Sequence, residues 1–482
     1  MKKTKKAKDK KEKTRLFLVG LVIFFAVSLT IAIPTVGVFC QLYNPYLPFY
    51  DMHVADLSLK PDNLDAKYDY MFDRIVLNEG KDNAVVNGES LNYIAHPDSV
   101  LLDNGEIVTA YVIGHGRGQT VMQVSTDKGL SWSDRIEGLP DSFKHTEETP
   151  TLYKLDFTNG DQKLILIQGR PGWGGKGEGF DVSLSVSKGA DGKCDGKVWE
   201  AHKNYFGPNA EPGYVEKAGV FEPIVAMASL TRLKDENGNF IDKWMGLFHN
   251  YEFEIMKTYL TFDSQGNMQW TRPERAIDKA YRHKEKTLNF CEPEVIRSPE
   301  GDELAMIVRT NAKISNSQIM FSKDEGKTWS EPEALSRELT GERHKAEYDP
   351  LTGKLLITFR AINWKLGQEH RKFAWFSRGW VTWIGDYSDL HKGEAAKGDV
   401  VVKMAHTYLD KQTAPETSAN ADTGYAGFTI DEDGMVVMSS YGRFSPDNDI
   451  RLGGNTYIIT KRFTVTDLYE LFGMGDLLIN KT

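Results

Sequence analysis

The segment Ser125–Asp134, STDKGLSWSD, returns almost unchanged as SKDEGKTWSE at Ser322–Glu331. Both fit Ser-x-Asp-x-Gly-x-x-Trp. In such a turn the Asp accepts hydrogen bonds from nearby backbone N–H groups, and the Gly takes a positive φ that other residues resist. The Trp then lays its large apolar face on a sheet. Degenerate relatives lie between the copies: DGKVW ends at Trp199 and DSQGNMQW at Trp270. With Trp383, the tryptophans fall at 132, 199, 270, 329 and 383, with gaps of 54 to 71 residues. Self-similarity at that interval predicts a radial array of four-stranded sheets.

The sequence around the turns is strand-like. SVLLDNGEIVTAYVIG, KLILIQG, DELAMIVRT, GKLLITFRA and GMVVMSSYG are short apolar runs punctuated by Gly, Asn and Asp. Long helical periodicity is almost absent; only Thr464–Gly473 reads as a helix, capped by Thr464 or Thr466. Five turn tryptophans plus the final segment, from YAGFTIDEDG to NTYIITKRF, give six units. The expectation is an all-β chain, a six-bladed β-propeller over residues 66–482.

The charge is unevenly spread. Residues 1–15 hold nine Lys or Arg against two acids, a net of +7, so the rest carries −16 of an overall −9. An acidic body argues against nucleic acid as a partner. Residues 16–41 hold no charged side chain and are long enough for a membrane-spanning helix, for which about 20 apolar residues suffice. A cleaved signal peptide is the alternative, but its apolar stretch is usually shorter. The reading is a single-pass anchor with a cytoplasmic basic tail at 1–15, an extracellular body, and a Pro-containing stalk at 42–65. Cys40, Cys194 and Cys291 make no disulfide framework, and no spacing suggests a metal site or cofactor.

Ionisable residues recur at matching places in the units. The start of each first strand carries His96 and Asp98, Glu148, Glu222, Glu292, His344 or Tyr425; the end of each second strand carries His115 or Arg117, Arg170, His249, Arg309, Arg360 or Arg443. Groups at equivalent positions of a propeller form a ring around one mouth. Guanidinium groups suit bidentate contact with carboxylate or phosphate, so the implied ligand is an anionic or densely hydroxylated glycan.

With these residues in place, the chain resembles the sialidase superfamily, six-bladed glycoside hydrolases with Asp-box (BNR) repeats, over roughly residues 90–465. Sialidases use a Tyr nucleophile assisted by a Glu, an Asp as acid/base, and three Arg that bind the substrate carboxylate. NFCEPEVI resembles the segment of the family's Glu, which would be Glu292, and MIVRTN the strand of the second Arg, which would be Arg309. HRKFAWFS is similar to the segment of the third Arg, which implies Arg371, and TGYAGFTIDEDG resembles that of the nucleophile, which implies Tyr425.

Two segments depart from the pattern. YIAHPDS has Ile94, Ala95 and His96 where the first Arg belongs, and GHGRGQT has no Asp or Glu for the acid/base. Asp98, which shares strand parity with His96, or His115 would then supply the proton, and Arg117 or Arg170 would replace the missing Arg. The resemblance implies a membrane-anchored, extracytoplasmic glycoside hydrolase acting on an acidic or cell-surface glycan. The alternatives are a non-catalytic glycan-binding propeller and a polysaccharide lyase.

Overall fold

The computed structural model describes His53 to Leu478, apart from residues 79–83, 87–88, 92–93, 115–118, 146–147, 171–177, 208–222, 278–281, 284–285, 313, 363–376, 406–422, 443 and 445–455. All described residues belong to one compact unit, Phe49–Thr482. The basic tail and the apolar span at 16–41 lie outside them. Among the described residues no helix is long and apolar enough to cross a membrane.

Six sheets of three to five strands follow one another along the chain, antiparallel but for one edge pairing, beside two small hairpins. Their inner strands are Ile94–Leu101, Glu148–Asp156, Pro223–Lys234, Phe290–Arg297, Gly341–Tyr348 and Gly427–Ile430, in blades 1 to 6. Each passes by a hairpin to a second strand and then outward. The Asp-Asn-Gly turn at residues 103–105 is one of these, with Gly105 at φ 82°.

The second strands explain why the sequence reads as unbroken apolar runs. In blade 2, Leu164 and Leu166 pack toward blade 1 with Val108 and Met122, while Ile165 and Ile167 pack toward blade 3 with Met227 and Trp244. Side chains alternate between faces with period two, and both faces are buried, so no polar alternation survives. The core is therefore six apolar slabs, one between each neighbouring pair of blades.

The two Ser-x-Asp-x-Gly-x-x-Trp turns are superimposable in their bonding. Asp127 Oδ1 accepts from Ser131 N–H at 2.8 Å, and Asp324 Oδ1 accepts from Thr328 N–H at 2.9 Å. Ser125 and Ser322 hydroxyls accept from the glycine N–H groups at 2.8 and 2.9 Å. Gly129 and Gly326 sit at φ 77° and 73°. A Cβ on Gly129 would lie 2.5 Å from Val437 of blade 6, and one on Gly326 would lie 2.5 Å from Met245 of blade 3. Each turn thus docks on the preceding blade. Trp383 differs from expectation: it lies in mid-strand, in Ser377–Gly385, fully buried between blades 4 and 5 rather than on a turn.

Two segments before the first blade complete the ring. Ile75–Asn78 pairs antiparallel with Tyr457–Phe463 as the outer strand of blade 6, and His53–Asp56 runs parallel to Val400–Lys403 of blade 5. The segment expected as a stalk therefore contributes a strand to a sheet, with Ala55 and Leu57 buried among apolar side chains there. The short helix is Val465–Leu471, and the Thr464 hydroxyl caps it by accepting from Asp467 N–H at 3.1 Å.

Candidate active site

A repeated bulge builds the site. In blades 1 to 5 the inner strand loses register with its neighbour near its start: between Ala95 and Asp98, Glu148 and Thr151, Pro223 and Met227, Cys291 and Glu294, and Glu342 and Lys345. His96, Val225, Glu292 and Arg343 at these bulges take φ of 52°, 67°, 51° and 53°. Left-handed backbone at a non-glycine residue costs on the order of 1–3 kcal/mol and recurs at functional sites. Pro97, Pro150 and Pro293 occupy the bulges of blades 1, 2 and 4, where a missing N–H removes no ladder bond.

The bulge residues of blades 1 and 4 meet Tyr425 of blade 6. The phenol donates to Glu292 Oε1 at 2.6 Å and accepts from Arg309 Nη1 at 3.0 Å. The same Nη1 reaches both Glu292 oxygens, at 3.2 and 3.1 Å. Gly424, at φ 90°, lets this segment close on blade 5: a Cβ there would lie 2.8 Å from Arg360 Cα. The Arg360 guanidinium then stands 4.9 Å from the Tyr425 ring centroid.

Glu342 ties the two arginines together. Its Oε1 accepts from Arg309 Nη2 at 2.8 Å, and its Oε2 accepts from Arg360 Nε at 2.8 Å and Nη2 at 2.5 Å. Sequence reading passed over Glu342 in favour of His344, two residues on. His344 instead packs on Phe359 and bonds to the Leu339 carbonyl at 2.8 Å. The signal for Glu342 was its place: it precedes the bulge of its strand as Cys291 precedes that of blade 4.

His96 lies beside the phenol, with ring centroids 4.8 Å apart, and edge-on to Tyr441 at 5.0 Å. Its Nδ1 is 3.7 Å from Glu148 Oε2 and 3.4 Å from the Thr149 hydroxyl. His249 accepts a long bond, 3.5 Å, from the Glu292 backbone N–H, which supports the strained bulge. Burial lowers His249 to about 4, so its imidazole is neutral at physiological pH.

The electrostatics assign charges. Burial opposes ionisation of Glu292, but the Arg309 charge and the Tyr425 hydroxyl outweigh it and hold the carboxyl below its ordinary value. Burial, reinforced by the Glu292 charge, pushes the Tyr425 phenol well up, so it rests protonated. The pair is a phenol poised on a carboxylate, with one guanidinium on the phenol oxygen and another over the ring.

Other sequence candidates lie elsewhere. Asp98 was expected on the same mouth as His96, but the intervening bulge turns it to the far side. There it accepts from Leu152 N–H at 2.9 Å and Ser99 N–H at 3.0 Å and pairs with Lys345. Arg170 pairs with Asp181 of its own blade at 3.0 Å and bonds to the His145 carbonyl at 2.8 Å. His115, Arg117, Glu222, Arg371 and Arg443 lie outside the described residues.

No family model matches the chain, and no curated protein matches it. Solved structures do. The α-L-arabinofuranosidase Arb93A of Fusarium graminearum, in complex with an iminosugar inhibitor, aligns at TM-score 0.50 and 10% identity, over 83% of this chain and 99% of that one. An α-L-arabinanase of Penicillium chrysogenum complexed with arabinobiose aligns at TM-score 0.49 and 12% identity, over 82% and 98%. The intramolecular trans-sialidase of Ruminococcus gnavus aligns at TM-score 0.44 and 14% identity, over 78% and 95%. The chain is an all-β six-bladed propeller, similar in fold to the arabinofuranosidase along nearly that enzyme's whole length.

Proposed function

We propose that the protein is a glycoside hydrolase in which Tyr425 is the nucleophile and Glu292 its base. The observation that carries this reading is the 2.6 Å bond from phenol to carboxylate, with Arg309 on the same phenol oxygen at 3.0 Å. A phenol is a weak nucleophile at its solution pKa near 10 and needs a base to remove its proton as it attacks. Glu292 takes that proton, while Arg309 and Arg360 stabilise the negative charge developing on the oxygen and ring. His96, held beside Glu148, is the proton donor the described residues offer to the leaving group, in place of Asp98. Likeness of fold to an arabinofuranosidase supports a glycosidic substrate. The finer reading is a sialidase-like enzyme acting on an acidic or cell-surface glycan, outside the cell and tethered by the apolar segment at 16–41.

The test is incubation of the full-length protein, in detergent, with a panel of acidic and neutral glycans, read by mass spectrometry beside Tyr425→Phe. Hydrolysis by the wild type and none by the variant is expected; equal product from both removes Tyr425 from the mechanism. The contact of His96 with Tyr425 favours one second reading, a lyase in which the pair abstracts and donates protons. Elimination leaves an unsaturated product that absorbs ultraviolet light, and hydrolysis does not.

A further inference from the structure

The bulges divide the propeller's central channel. Beyond them, toward the inner hairpins, opens a cavity of about 480 Å³ to which all six inner strands contribute; Tyr425, Glu292 and Arg309 are not among its lining residues. Its size is that of a small-molecule site, for which 300–1,000 Å³ is usual.

The charges in this cavity are unequally matched. Asp98 is saturated by Leu152 N–H, Ser99 N–H and Lys345. Lys154 pairs with Asp103 at 2.7 Å, and Arg297 pairs with Glu325 at 2.6 Å. Arg343 has no such partner. Although only 6% exposed, its side chain makes a single hydrogen bond among the described residues, from Nη1 to the Ala228 carbonyl at 3.0 Å, and no ion pair. A guanidinium carries five N–H donors, and a buried charge without a counter-ion is costly.

Asp98, Glu294 and Glu292 favour its charge through space, but among the described residues none forms an ion pair with the guanidinium. Glu294 accepts from Ala346 N–H at 3.1 Å, and burial pushes it up to about 8, so at neutral pH it is an uncharged acid able to donate a hydrogen bond. A cavity with a buried guanidinium that has no ion-pair partner among the described residues, an adjacent ammonium and a neutral carboxylic acid suits an oxyanion. The planar fork of arginine matches such groups in two places at once.

We propose that this half of the channel is a second ligand site, which takes a small organic anion with its carboxylate or phosphate on the Arg343 guanidinium. Lys345 and Glu294 offer further donors to the same group or to neighbouring hydroxyls. Arg343 stands at the border, its backbone N–H donating to Glu292 Oε2 at 3.1 Å, but its guanidinium faces this cavity, and the site does not depend on the Tyr425 cluster being catalytic.

Thermal unfolding of the full-length protein in detergent tests it, with inorganic phosphate and with glucuronate, against chloride and glucose at matched ionic strength. A rise of several degrees with at least one oxyanion is expected, kept in Tyr425→Phe and lost in Arg343→Gln. A response to phosphate alone assigns a phosphate ligand, and one to glucuronate alone assigns a carboxylate. No rise above chloride overturns the proposal, as does a rise that persists in Arg343→Gln or disappears in Tyr425→Phe. Should Arg343→Gln fail to fold, Arg343→Lys keeps the charge without the fork. It is expected to weaken binding by about tenfold in titration calorimetry, and unchanged affinity overturns the proposal.

Discussion

Tyr425, Glu292, Arg309, Glu342 and Arg360 form a single buried chain of charge-assisted hydrogen bonds. Each member fixes the next, so the phenol has one orientation and one acceptor. Glu292→Gln keeps the shape and removes the base; kcat on the substrate found is expected to fall about 10²- to 10⁴-fold, the usual worth of general-base catalysis. Circular dichroism should show the fold intact, and an unchanged kcat would dismiss Glu292 as the base. The depressed Glu292 carboxyl also sets a pH limit. It stays ionised at and below the ordinary carboxylate value, so its contribution is present above that value and lost only as pH falls through the lower folded one. The acid limb of the kcat profile belongs below the ordinary glutamate range.

The inner-strand bulge and the Ser-x-Asp-x-Gly-x-x-Trp turn are elements with separate duties. The bulge spends backbone strain to aim side chains into the mouth. The turn consumes its own polar groups and joins neighbouring blades, with Trp132 Nε1 donating to Thr460 of blade 6 at 3.1 Å. Asp324→Ala leaves the Thr328 N–H and the Ser322 and Thr328 hydroxyls without their acceptor. A loss of about 1–3 kcal/mol of stability follows, measured as a lower urea midpoint. The mouth is built by other strands, so kcat is expected to match wild type. A kcat that fell with the stability would deny this division of labour.

Ring closure belongs to the whole molecule. Lys461, in the outer part of blade 6, is 1% exposed and donates to the Leu57 and Asp73 carbonyls at 3.2 and 3.1 Å, stitching the N-terminal segment to the last blade. Burial, with Arg74 nearby, lowers it to about 7. Between that value and the unfolded lysine value near 10.4, the unfolded chain binds the extra proton, so this group makes stability rise with pH. Glu294, raised by burial, acts with the opposite sign below about 8. The stability difference between wild type and Lys461→Met isolates the lysine, and it should shift in favour of wild type from pH 7 to 10. A difference independent of pH would show that Lys461 titrates normally.

The sequence by itself determined the architecture. The turn repeated at Ser125 and Ser322, with its Asp, Gly and Trp, and the unbroken apolar second strands are local signals, and local chemistry is what a sequence spells out. It also carried Glu292, Arg309, Tyr425 and His96, because each stands at a fixed place in its unit. Only the tertiary structure decided which of these meet. The bulges move Asp98 to the opposite half of the channel although it is two residues from His96, and they bring Glu342 to two arginines where His344 looked the better candidate. A period-two reading assumes regular strands, and inserted bulge residues with left-handed backbone break that parity. Closure by residues 53–56 and 75–78 was equally hidden, because a strand is defined by the neighbour it pairs with, and those neighbours lie more than 300 residues away.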